Sequence, residues 1–118
     1  MKKTWDMIRF QRITKEPNGE MQLIFALSGI RSPIDMRNFL LDLLTEREMK
    51  SLVRRLEAAR LLAHGLGYEE ARRNTGMSSR TLTRVYKRML HGSHGYPVAL
   101  EQLGYELDLR RPGKYIKA

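Results

Sequence analysis

Residues 68–90 read Tyr-Glu-Glu-Ala-Arg-Arg-Asn-Thr-Gly-Met-Ser-Ser-Arg-Thr-Leu-Thr-Arg-Val-Tyr-Lys-Arg-Met-Leu, and the fold turns on how this stretch divides. Gly76 offers a left-handed residue at little steric cost, and Ser78 can cap a following helix through its hydroxyl. Glu69 and Glu70 fall in the first turn of the helix before it, where the amide end favours negative charge. Ala71, Thr75, Met77, Leu82 and Val85 take the inward positions, and all but Thr75 are small or apolar. The pattern predicts a short helix, a tight turn and a second helix, the plan of a helix-turn-helix. An ordinary packed helix pair has the same periodicity, so the outer face must decide.

That face is basic. The whole chain of 118 residues carries 22 Lys and Arg against 13 Asp and Glu, a net charge of +9, which calls for an anionic partner, nucleic acid first. The excess is local: residues 71–100 contain Arg72, Arg73, Arg80, Arg84, Lys87 and Arg88 and no acid at all. If the second helix enters a major groove, Ser79, Arg80 and Thr83 reach base edges first, with Arg72 approaching from the helix before it. Arg73, Lys87 and Arg88 would meet phosphates. Arg84 points towards the preceding long helix, where Arg55 lies, and the two could hold an anionic ligand or pair with acids.

Upstream, Thr45 and Glu48 form a capping box that starts a helix at Glu46. Met49, Leu52, Val53, Leu56, Ala59, Leu62 and Ala63 follow on one side until Gly65 and Gly67 end it. Ser32 before Pro33 is an N-cap with proline at the first helical position, and Met36, Phe39, Leu40, Leu43 and Leu44 repeat at helical spacing. Met21, Ile24, Phe25 and Leu27 suit a short helix from Glu20 to about Ser28, after a turn at Glu16-Pro17-Asn18-Gly19. Residues 1–19 form an N-terminal extension that fits helix and strand equally. Downstream, His91-Gly92-Ser93-His94-Gly95 links to a last helix over Tyr96–Leu103, closed by Gly104. Residues 105–118, with Arg110, Arg111, Lys114 and Lys117, read as a basic C-terminal tail, a flexible or extended arm.

Several classes are disfavoured. Without cysteine there is no disulfide framework or thiolate zinc site. His91 and His94 lack a third metal ligand at matching spacing, and both read as loop histidines. No paired carboxylates, Ser/His/Asp grouping or phosphate-cradling loop suggests an enzyme. No apolar run approaches the roughly 18 residues needed to span a bilayer, and the Lys2-Lys3 start leads into Trp5 and Asp6 rather than a signal core. A cytoplasmic protein is expected.

The run Arg55-Leu56-Glu57-Ala58-Ala59-Arg60-Leu61-Leu62, the Tyr68–Val85 segment around Gly76 and the later Gly95-Tyr96-Pro97-Val98-Ala99-Leu100-Glu101-Gln102-Leu103 resemble the Trp repressor superfamily, most closely its TrpR-like YerC/YecD branch. The resemblance implies an all-α, multi-helix domain over residues 20–104 with the helix-turn-helix at 68–90. It implies an interlocked homodimer, whose two recognition helices would stand about 34 Å apart and call for a palindromic operator. The repressor's groove-facing residues correspond to Arg72, Ser79, Arg80 and Thr83. It holds tryptophan between two arginines, matched here by Arg55 and Arg84, with Thr45 matching a pocket-lining threonine. Val85 stands where the repressor has a glycine that leaves room for the indole, and Arg88 where it has a serine that touches the ligand amine. A β-branched side chain and a cation both oppose tryptophan, so no cofactor is expected.

The reading is therefore a homodimeric transcriptional regulator, a repressor, on double-stranded DNA. Two alternatives stand beside it: a helical module for a protein or RNA partner, and a sensor of a small anionic effector held by Arg55 and Arg84.

Overall fold

The computed structural model describes residues 18–108, 110 and 114–117. They fall into two compact units that divide after Glu46. The extension over residues 1–17 lies outside the described residues.

The first unit holds helices α1 (Gly19–Gly29) and α2 (Pro33–Leu43). The side chain of Asn18, expected only as part of a turn, caps α1 by accepting the Met21 amide at 3.1 Å. Ser32 caps α2 as its sequence predicts, accepting the Asp35 amide at 3.3 Å, with Pro33 next to it. Neither helix buries a single residue.

The second unit contains α3 (Glu46–Ala63, its first residue in the preceding unit), α4 (Tyr68–Thr75), α5 (Ser79–His91), α6 (Gly95–Gln102) and a hairpin of β1 (Tyr105–Leu107) and β2 (Tyr115–Lys117). Ala58, Ala59 and Ala63 give α3 a smooth buried face. Ala71 of α4, Leu82, Val85 and Met89 of α5, Leu100 of α6, and Tyr105 and Tyr115 complete one core. Leu82 and Leu100 are fully enclosed, each stabilising the fold by roughly 2 kcal/mol on burial. The end of α3 is closed by paired turns, Gly65 N–H to the Leu62 carbonyl and Leu66 N–H to that of Leu61, both 3.1 Å, which satisfies carbonyls that the helix itself leaves open.

The tail from Tyr105 corrects the expectation of an arm. Tyr105 pairs with Lys117, Glu106 with Ile116 and Leu107 with Tyr115 in antiparallel register. Tyr105 also sets its ring edge-on against His64, centroids 6.1 Å apart, and its hydroxyl accepts from Arg60 Nη1 at 3.3 Å. Arg60 also pairs with Glu57 one turn earlier on α3 at 2.6 Å, so the same guanidinium joins the helix to the hairpin. Two large rings leaving water outweigh the tail's charge. The fold is thus all-α in its body, with a short β-ribbon added.

Candidate nucleic-acid interface

The turn between α4 and α5 is built as its residues require. Gly76 has φ +72° and ψ 8°, and its amide donates to the Arg72 carbonyl at 2.9 Å. A β-carbon at Gly76 would meet nothing within 4 Å, so the left-handed backbone alone selects glycine. Thr75, the one inward residue of doubtful fit, is buried without penalty: its hydroxyl donates to the Ala71 carbonyl at 2.7 Å and accepts the Met77 amide at 3.2 Å. Ser78 Oγ accepts the Thr81 amide at 3.2 Å and lies 3.0 Å from Thr81 Oγ1, which fixes the first turn of α5.

At roughly 100° per residue, Ser79, Thr83, Lys87 and Arg80 share a sector of α5 about 100° wide, opposite the buried Leu82, Val85 and Met89. Ser79, Arg80 and Lys87 are exposed and Thr83 is half-buried. Thr83 Oγ1 donates to the Ser79 carbonyl at 2.8 Å, leaving its lone pairs and methyl group for a base. Helix α5 carries no acid, and among the described residues no carboxylate pairs with Arg80, Arg84, Lys87 or Arg88.

On α4, Arg73 is exposed, while Arg72 is held by Glu69, Nη2 to Oε1 at 2.6 Å. That hydrogen bond, reinforced by the charge attraction, lowers the Glu69 carboxyl below its ordinary range and raises Arg72 above its own. Both groups are on the surface, so the pair can open towards a base or phosphate at little expense. The start of α4 has no side-chain cap at Gly67; its first amides are the kind that phosphate oxygens accept from.

Arg55 and Arg84 do converge. They line a concavity of about 390 Å³ with Thr81, Val85, Tyr96 and Arg88. Arg88, which its charge suggested for phosphate and the resemblance placed at the ligand position, lines this hollow, in keeping with its position about 80° round the helix from Arg80. Val85, only 4% exposed, contributes to the wall. Thr45 belongs to the first unit and is not one of the lining residues. Gly92, beyond α5, is required for a different reason from Gly76: a β-carbon there would lie 2.5 Å from the Arg88 carbonyl oxygen.

His94, the residue that precedes α6, has φ +67°, the one positive-φ non-glycine described, and no group of three metal-ligating side chains occurs among the described residues. No described helix is long and apolar enough to cross a membrane. What the sequence reading missed is Lys114, which lies beside Tyr68 and Tyr86. The turn signal Pro112-Gly113 between Tyr105-Glu106-Leu107 and Tyr115-Ile116-Lys117 could have revealed the hairpin that puts it there.

Residues 20–104 match the family described as Trp repressor protein. The uncharacterised YerC protein of Bacillus subtilis is 33% identical over 82 residues, covering 70% of this chain and 79% of its own. The crystal structure of a TrpR-like protein from Eubacterium eligens superposes with a TM-score of 0.67 at 30% identity, over 75% of this chain and 91% of that one. A crystal structure of a Staphylococcus aureus protein gives the same TM-score, 0.67, at 26% identity, covering 81% and 97%.

Proposed function

The chain belongs to the Trp repressor family, and from that premise we propose that it is a homodimeric repressor of transcription that binds a palindromic operator. The observation that carries the reading is the acid-free exposed sector of α5, presented by a turn whose geometry is fixed at Gly76 and Ser78. Ser79, Arg80 and Thr83 read base edges, joined by Arg72 once it leaves Glu69; Arg73 and Lys87 hold phosphate. The self-association rests on the apolar residues that the described chain leaves in water. Leu23, Ile24, Ile34, Leu41 and Leu43 of α1 and α2 are 40–71% exposed, as are Leu52 and Val53 of α3 within that range. A second copy would cover them, and a two-fold dimer matches a two-fold operator.

Selection of bound duplexes from a random pool tests both parts. A palindromic consensus with half-sites about one helical turn apart is expected. An asymmetric consensus would remove the dimer, and preference for a folded RNA over every duplex would remove the operator.

A second reading has its own observation. Arg55, Arg84 and Arg88 line one hollow with no acid paired to them among the described residues, a setting for an anionic effector. The bulk of Val85 and the charge of Arg88 oppose tryptophan. A panel of amino acids and organic acids, read by the rise in melting temperature, identifies any ligand; no rise with any member at millimolar concentration would end this reading.

A further inference from the structure

The hairpin lies beyond the segment that matches the family, which ends at residue 104, yet it is firmly docked. Tyr105, Asp108 and Tyr115 are 2%, 3% and 8% exposed. The Asp108 amide donates to the Lys114 carbonyl at 2.7 Å, and Asp108 Oδ1 accepts the Arg110 amide at 3.0 Å and meets Arg110 Nε at 3.6 Å. Backbone bonds and buried rings thereby hold Arg110 and Lys114 at one end of the strand pair. The Arg110 side chain is nonetheless 87% exposed, and Lys114 is exposed as well.

That end of the hairpin meets the helix-turn-helix. Lys114 lines a hollow of about 200 Å³ with Gly67 and Tyr68, at the uncapped start of α4, and with Tyr86 of α5. Tyr68 and Tyr86 pack edge-to-face there, centroids 5.9 Å apart. On α5, Tyr86 lies about 20° outside the Ser79 edge of the exposed sector, whereas Arg84 lies about 40° outside the Arg80 edge. Lys114 therefore borders the groove-facing sector from the side opposite the arginine concavity. The first helix of a helix-turn-helix crosses the DNA backbone beside the groove that the second helix occupies. A cation fixed at the start of that first helix stands where a phosphate passes. Of the nearby acids, Glu69 is held by Arg72 and Asp108 is buried against Arg110, while Glu70 stands exposed in the first turn of α4.

We propose that Arg110 and Lys114, held at one end of the strand pair, form a second DNA contact on the phosphate backbone flanking the groove that α5 reads. The proposal rests on the DNA-binding reading above. A phosphate contact of this kind adds affinity and fixes orientation without selecting sequence.

The test compares the full chain with R110Q/K114Q, which keeps most of each side chain's apolar stem, and with the charge-keeping R110K/K114R. Binding to a 30-base-pair duplex carrying the selected consensus, and to a scrambled one, is followed by anisotropy at increasing salt. The glutamine variant should bind both duplexes more weakly by the same factor. Its plot of log affinity against log salt should be shallower by about one unit for each phosphate no longer neutralised, and R110K/K114R should restore the slope. Hydroxyl-radical footprinting should show reduced protection only at the outer backbone positions, which separates a local contact from a change in net charge. An unchanged slope and footprint in a variant that melts like the parent would overturn the hairpin contact while leaving the operator reading intact. If R110Q/K114Q does not fold, K114Q alone should carry half the slope change, and an unchanged slope there counts equally against the contact. Failure of the unaltered protein to bind any duplex would remove both proposals together.

Discussion

Replacing Gly76 by alanine isolates one physical quantity, because the site has open space and an unfavourable backbone. Apart from its chain neighbours, no atom of the described residues lies within 4 Å of the added β-carbon, so the methyl group neither clashes nor packs. What remains is φ +72°, which costs an L-residue about 1–2 kcal/mol. Against that, alanine narrows the unfolded ensemble, an offset of about 0.4–1 kcal/mol. The net destabilisation should be about 1 kcal/mol, or roughly 4–8 °C in melting temperature for a domain of this size. Asparagine tolerates the left-handed region better than alanine, so Gly76→Asn should fall between the two. Urea unfolding at one fixed protein concentration, which holds any contribution from self-association constant, measures all three proteins. If the alanine variant were as stable as the parent, the turn would not require a left-handed residue. If asparagine were no better than alanine, the loss would have to come from crowding, which the open surroundings exclude.

Three further outcomes follow from the same geometry. Arg80→Ala should relax base preference, while Lys87→Ala should weaken binding to operator and scrambled duplex alike; equal effects of both on both duplexes would refute the division of labour along α5. Glu57, half-buried, has its carboxyl held below its ordinary value of 4.5 chiefly by the hydrogen bonds from Arg60. Its contribution is therefore complete above that value and lost as pH falls through 4.5 and below. The side chains are 39% and 42% exposed, which limits the effect to under about 1 kcal/mol. The stability gap between the parent and Glu57→Gln, measured in urea, should shrink as pH is lowered from 7 to 4, and a gap that widened would contradict the assignment. Tyr115→Phe should be neutral or stabilising in the same assay: the hydroxyl is buried with no hydrogen-bond partner among the described residues, and burial pushes its pKa up. Removing an unsatisfied polar group relieves its desolvation cost, so a loss above about 1 kcal/mol would reveal a partner for that oxygen.

The parts of this protein that were legible in advance are the ones made by neighbours in sequence. Ser32 with Pro33, Gly76 and Ser78 each act within one helical turn, so residue type and spacing suffice to place them. Arg55 and Arg84 were paired by their positions and again by the resemblance to a known family; for Arg88, charge pointed to phosphate and the resemblance to the same hollow, and geometry favours the hollow. Lys114 was hidden because its position depends on strands of three residues, too short to show alternation. Thr75 looked a poor inward residue because its two hydrogen bonds depend on how α4 ends.

By itself, then, the sequence determined the order of the helices, the sharp turn at Gly76 and the cationic, acid-free character of α5, since caps, turns and periodicity are local and charge is a property of composition. Only the tertiary structure decided which way each cation faces and what becomes of the tail. Helix rotation about the core turns Arg88 towards Arg55 and Arg84. Burial of Tyr105 and Tyr115 in the shared core converts a basic tail into a docked ribbon that sets Lys114 beside the helix-turn-helix. Those placements come from hydrophobic contacts between residues far apart in the chain; a local turn signal at Pro112-Gly113 marks a hairpin but not the surface it packs against.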